Sequence, residues 1–212
     1  MLKKFLIPAI LILFIVSCEK SSKKKIDTSL PKPTLSLSSG DYIMDNDNSS
    51  IKWTGRELST KSHYGSLQMK NGSLTVNTDG TINGIIKIDM TTIDCEDLQG
   101  RSKASLERHL RSDDFFSVES HPIATLTFNS EGGIGAGNKL AFNGDLEIKG
   151  ISHPISFESE LKSVDPKVSA LVDMTFDRSK YNVRFRSGTF FQNLGDKLIY
   201  DDIEISVDIR TL

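Results

Sequence analysis

Ile203-Glu204-Ile205-Ser206-Val207-Asp208-Ile209-Arg210 sets an apolar side chain at every second position and a polar or charged one between. Successive side chains of a strand point to opposite faces, so this period-two pattern marks a strand with one buried face and one wet face, as in antiparallel sheets. Working backward, the same pattern returns. Ala170, Val172, Met174 and Phe176 alternate, as do Ile155, Phe157 and Leu161. Leu140, Phe142, Leu146 and Ile148 share one side, with Gly144 in register between them. Earlier pieces fit the template: Ala124, Leu126 and Phe128; Ile86, Ile88 and Met90 after Gly84; Leu74 and Val76; Leu67 and Met69; Ile51 and Trp53. Eight or more strands follow.

Turn-forming residues separate the strands: Asn71-Gly72, Asp79-Gly80, Gly132-Gly133 and Gly135 to Asn138. Such pairs supply the positive φ angles of tight hairpins, so most sequence neighbours are expected to pair. The alternation stops between Asp94 and Asp114, where Leu106, His109 and Leu110 stand at i, i+3 and i+4 and predict one short helix. Pro122 and Pro154 are each expected at a strand's first residue, where a missing N–H costs no ladder bond. Many strands with one apolar face must close into a barrel or stack as a sandwich, since an open sheet leaves edges and a wet core. Alternation alone leaves both open.

Composition agrees with a globular domain: 212 residues, 37% hydrophobic and 25% charged, with a net charge of −2. That balance provides no basic field for nucleic acid, which is not expected as a partner. Met1 to Lys4 give a positive start, and Phe5 to Val16 are almost wholly apolar. That run is too short to span a hydrocarbon core of roughly 30 Å and reads as the core of a signal peptide. Ile15-Val16-Ser17-Cys18 resembles the lipobox of bacterial lipoproteins, which implies cleavage after residue 17 and a diacylglycerol on Cys18. Residues 1–17 are therefore read as a lipoprotein signal and 18–41 as the lipidated cysteine with a solvated tether rich in Ser, Lys and Pro. Residues 42–212 form the folded domain. Acyl chains at Cys18 would hold the protein on a membrane. Lys20, Lys23, Lys24 and Lys25 either meet anionic headgroups or serve only solubility.

Within the domain, several runs resemble the YceI-like family of lipid- and polyisoprenoid-binding proteins. Ser50-Ile51-Lys52-Trp53-Thr54-Gly55 and Lys61-Ser62-His63-Tyr64-Gly65-Ser66-Leu67 are similar to the family's opening strand and its His-x-Gly hairpin. Ile88-Asp89-Met90 reads as a strand end before the helical insertion. Leu106 to Phe116, with Pro122 shortly after, looks like the "HL-x-S-x-DFF … P" signature. Gly144 to Gly150 resembles "G-x-L-T-I-K-G", with Glu147 replacing the usual threonine, and Asp177-Arg178-Ser179 resembles "D-R-[ST]". The resemblance implies an all-β, antiparallel up-and-down lipocalin-like barrel of about eight strands with one short helical insertion. It further implies noncovalent binding of an isoprenoid or other long-chain amphiphilic lipid in a tunnel, within the bacterial cell envelope and on its outer membrane. No catalysis and no cofactor are expected. The alternative is an envelope scaffold whose barrel is filled.

Trp53, Phe115, Phe116, Phe142 and Phe157 are candidate walls of such a tunnel, although a filled core uses the same residues. His63 and His109 either donate to a polar headgroup or fix a turn. Arg178 either holds an anionic or quinone oxygen in its fork or pairs with a neighbouring aspartate. Asp113 and Asp114 suggest a carboxylate pair, but adjacent residues in a helix-to-strand turn point apart and accept backbone donors, so catalysis by them is not expected. The histidines at 63, 109, 121 and 153 include no close pair, so no metal site is expected from spacing. Cys95 has no histidine near it in sequence, there is no Gly-x-Ser-x-Gly elbow, and the Gly132–Gly137 run lacks a phosphate-loop lysine.

Overall fold

The alternating segments become strands, and the ladders between them decide the architecture. The structure, a computed structural model, describes residues 37–134, 138–164 and 167–212. The segment read as a signal peptide, Cys18 and most of the segment read as a tether lie outside the described residues. The strands are β1 (Gly40–Ile43), β2 (Ser50–Arg56), β3 (Ser62–Val76), β4 (Ile82–Cys95), β5 (Ile123–Ser130), β6 (Lys139–Ile148), β7 (Ile151–Val164), β8 (Lys167–Asp177) and β9 (Asp202–Arg210). One α-helix, α1 (Gly100–Arg111), stands between β4 and β5.

Every strand from β2 to β9 pairs antiparallel with the next, and β9 returns to pair with β2, Trp53 facing Ile205. The result is a closed eight-stranded up-and-down barrel, which settles the choice that alternation left open. Closure removes the edges that would otherwise template aggregation. Strand β1 extends the wall: it pairs with Ser73–Val76 on the same side of β3 that β2 takes lower down. It begins at Gly40, two residues before the expected domain start.

The inward sets are the predicted ones. On β6, Leu140, Phe142, Leu146 and Ile148 are all buried while Lys139, Asn143, Asp145 and Glu147 are exposed. Each fully buried aliphatic or aromatic side chain contributes about 1.5–3 kcal/mol, so this one-sided burial holds the register of every strand.

Three sequence expectations are corrected. Asn71-Gly72 is not a hairpin turn but lies inside β3, next to a register shift between Met69 and Asn71. A Cβ on Gly72 would lie 2.4 Å from the Met44 sulfur, so the glycine there serves a close approach of the β1 end rather than a turn. Strand β4 does not end at Met90. It leaves β5 after Asp89, runs on alone, and rejoins β3 at Gly65–Cys95. Pro154 lies within β7, opposite Asp145, and not at its start. It is tolerated because the β7–β8 ladder begins only at Ser159, leaving no neighbour on that side to miss its N–H. Tyr181, only 2% exposed, fills that split in the wall, edge-on to Phe176 at 5.7 Å and to His153 at 5.3 Å.

The predicted helix is present, with Leu110 buried and Leu106 packed against the core. It sits at the end of the barrel that also carries residues 57–61, 112–122 and 178–201. The opposite end has only short connections among the described residues.

Candidate functional site

A cavity of about 330 Å³ opens beneath the helical end. Its walls are strand side chains: Ile51 and Trp53 from β2, Met90 and Ile93 from β4, Leu146 and Ile148 from β6, Ile203 and Ile205 from β9. Leu106, His109 and Leu110 of α1 roof it, the same i, i+3, i+4 set that predicts the helix. Polar groups gather toward the rim: Arg56, Glu57, His63, His109 and Arg186. A mostly apolar concavity with a few convergent polar groups, at the small end of the ~300–1,000 Å³ range, has the form of a small-molecule site.

The far half of the barrel holds a second void of only about 60 Å³. Phe142 and Phe157 stack there at 5.4 Å and 11°, and Phe128 meets both rings edge-on. Met174 lines both spaces. The expected single tunnel is thus two compartments, one roomy and one nearly filled, because three phenylalanines converge at one level of a narrow barrel.

The candidate residues divide accordingly. Trp53, His63, His109, Phe115 and Phe116 all line the larger cavity. Phe142 and Phe157 line only the small void. Arg178 lines neither, and its placement as a ligand contact is corrected. It is 0% exposed: Nε donates to the Tyr200 carbonyl, Nη1 to Val183 and Phe185, and Nη2 to Ile199. An ion pair to Asp201 at 3.1 Å completes its surroundings, while Ser187 and Thr189 hydroxyls donate to the other oxygen of that carboxylate. Burial pushes the Arg178 guanidinium down, and Asp201 and Asp177 oppose that. Four of its five N–H groups are spent on backbone carbonyls in fastening the 182–200 loop, and with the side chain fully buried beside Asp201 no fork is presented to a ligand.

That loop supplies wall residues that sequence reasoning missed: Phe185, Arg186 and Ile199. Phe185 meets His109 edge-on at 4.3 Å and stands 6.1 Å from Phe115. Nothing periodic marks this loop. Trp53 Nε1 is buried with no hydrogen-bond partner among the described residues. An unpaired donor of this kind costs about 1–3 kcal/mol.

A polar cluster stands at the rim. His63 Nδ1 and Asp97 Oδ2 are 2.8 Å apart, and the Cys95 thiol donates to Asp97 Oδ1 at 3.2 Å. The Tyr64 backbone N–H donates to that same oxygen at 3.0 Å, and the Cys95 N–H donates to Glu107 of α1 at 3.0 Å. Burial acts to raise the Asp97 carboxyl, but bonds from His63, Tyr64 and Cys95 outweigh it and hold the group below its ordinary range. Burial, reinforced by the Asp97 charge, pushes the Cys95 thiol up. A buried thiol held protonated is a poor nucleophile. Among the described residues this is the one group of His, Cys and acidic side chains whose donor atoms converge, all lying within 4.8 Å of one another. Spacing along the chain concealed it, because His63 comes from β3, Cys95 is the last residue of β4 and Asp97 follows two residues later.

Comparison with known proteins places the chain. A family model described as the YceI-like domain matches residues 42–211. Curated relatives include a UPF0312 protein of Photorhabdus laumondii, 27% identical over 149 residues, covering 68% of this chain and 72% of the relative. Another, from Shewanella denitrificans, is 24% identical over 136 residues, covering 63% of this chain and 68% of the relative. Among solved structures, Burkholderia cenocepacia BcnA is similar with a TM-score of 0.59 and 17% identity, over 80% of this chain and 99% of that one. A polyisoprenoid-binding domain from Saccharophagus degradans gives 0.56 and 11%, over 80% of this chain and 97% of that one. These two likenesses establish a shared fold.

Proposed function

The chain belongs to the YceI-like family, and from that premise we propose that its barrel holds the hydrocarbon tail of an isoprenoid or other long-chain amphiphile, noncovalently and without chemistry on it. The observation that carries the reading is the 330 Å³ cavity, walled by aliphatic and aromatic side chains and fringed by Arg56, His63, His109 and Arg186. Apolar surface moved from water into such a space gains roughly 25 cal/mol per Å², so a tail needs few polar contacts. The rim groups stand where a headgroup oxygen could be received. The polyisoprenoid-binding domain that shares the fold supports the choice of ligand class.

The lipobox-like run ending at Cys18 supports a lipid-anchored protein of the bacterial envelope, attached to the outer membrane. There the tether would keep the cavity near its amphiphilic ligands. The near-neutral charge supports the absence of a nucleic-acid partner.

Trp53 is the single tryptophan and lines the cavity, so its emission reports on the site. Organic extraction of the purified protein followed by mass spectrometry should yield a lipid. After delipidation, added prenyl alcohol should change Trp53 emission saturably at one molecule per chain. Absence of both co-purifying lipid and uptake would overturn the proposal in favour of a scaffold, for which the filled far half of the barrel is the supporting observation.

A further inference from the structure

We propose that His63, Cys95 and Asp97 form a binding site for a divalent cation of the zinc type at the rim of the barrel. It is independent of whether a lipid occupies the cavity. The three side chains offer one nitrogen, one sulfur and one carboxylate oxygen, and no two of these donor atoms are more than 4.8 Å apart. In a tetrahedral zinc site with bonds of about 2.0–2.3 Å the donors stand roughly 3.5 Å from one another, so closing this set takes a shift of about 1 Å. A mixed N, S, O set suits zinc or cobalt, whereas magnesium and calcium demand oxygen alone.

Backbone placement converges the set. Gly65 follows His63 by two residues and pairs with Cys95 where β4 rejoins β3. A Cβ on Gly65 would sit 1.8 Å from the Asp94 carbonyl oxygen, so only glycine lets the two strands approach closely enough to bring His63 to Asp97. Surrounding bonds orient the donors as outer partners do in metal sites. The Tyr64 N–H holds Asp97, and Glu107 of α1 holds the Cys95 backbone. Cys95 is 0% exposed and its thiol is kept protonated by burial, which disfavours redox or nucleophilic work but leaves coordination open. On binding, the S–H bond breaks, its proton goes to solvent, and a sulfur–metal bond forms. Three protein donors leave a fourth position for water or for an oxygen of a molecule in the cavity, which His63 also lines.

The test is a cobalt(II) titration of the chelator-stripped full chain, read by thiolate-to-cobalt charge transfer in the near ultraviolet and d–d bands in the visible. One equivalent should give both bands, and zinc should bleach them. Cys95→Ser should abolish the charge-transfer band, and His63→Gln and Asp97→Asn should each weaken binding by at least about tenfold, with far-ultraviolet circular dichroism confirming folded variants. Cys18→Ser should keep the band, which excludes the other thiol. No charge-transfer band in the wild-type chain, or one that survives Cys95→Ser in a folded variant, overturns the proposal. Should Cys95→Ser not fold, a band unchanged in both His63→Gln and Asp97→Asn overturns it equally.

Discussion

Gly65 and Asp94 stand so close across the β3–β4 ladder that a Cβ on the glycine would lie 1.8 Å from the Asp94 carbonyl oxygen and 2.9 Å from the Trp53 ring. The contact joins the strand wall, the cavity and the His63–Asp97–Cys95 cluster at one point. Gly65→Ala must therefore push β4 away and also displace Trp53. The expected loss is about 3 kcal/mol or more, the upper range for overpacking in a rigid site. Urea unfolding measures it, and the native emission of Trp53 should shift as well. A variant within about 0.5 kcal/mol of wild type would show that the strands yield more easily than their geometry implies.

Arg178 gives a second prediction, because its guanidinium donates to four backbone carbonyls of residues 183–200 while paired with Asp201. Arg178→Met strands the carboxylate and frees those carbonyls, at a cost of about 3–5 kcal/mol. Arg178→Lys keeps the charge but lacks the planar fork, so it should recover only part of the loss. Amide exchange should quicken across Val183 to Tyr200 in both. Unchanged exchange there would mean that the loop is held by other bonds.

The barrel was legible because burial of one strand face imposes period two, and that period survives in Leu140 to Ile148 and Ile203 to Ile209 whatever the loops do. The helix was legible from three residues that now roof the cavity. Asn71-Gly72 misled because glycine serves close approach as well as turns, and only the neighbouring Met44 tells which. The walls from β2 and α1 could be named from motifs, but Phe185, Arg186 and Ile199 lie in an aperiodic loop fastened by a buried arginine. The His63–Cys95–Asp97 grouping depends on a strand register, which no spacing along the chain records.

Chain length supplies a third prediction. At ~30 Å³ per water-sized group, the larger cavity has room for on the order of ten methylenes, and Met174 lines both it and the small void beyond. The delipidated protein should bind prenyl alcohols best near about 10–15 carbons, with longer chains gaining little. Met174→Ala joins the two spaces at a cost of about 2 kcal/mol. It should move the preference toward longer chains. Competition among prenyl alcohols, read by Trp53 emission, checks this, and an identical length profile in the two proteins would show that Met174 is no partition.

Alkaline pH tests the Cys95 environment. The buried thiol titrates above its ordinary value, first through burial and then through Asp97, whereas in the unfolded chain it titrates near about 8.5. As pH rises through that value the unfolded chain releases the proton first. The native state then binds more protons, and unfolding free energy falls with pH. The thiol's contribution is therefore complete below the unfolded pKa and lost as pH approaches the native one. Tyr181, also pushed up by burial and then by Asp177, adds the same sign of dependence near its own ordinary value of about 10. Urea midpoints between pH 7.5 and 9.5 should fall more steeply in wild type than in Cys95→Ala, which keeps the contributions of Tyr181, Lys103 and Lys149 and loses that of the thiol. Parallel slopes would mean that the native thiol ionises as freely as an unfolded one, contradicting its enclosure beside a carboxylate.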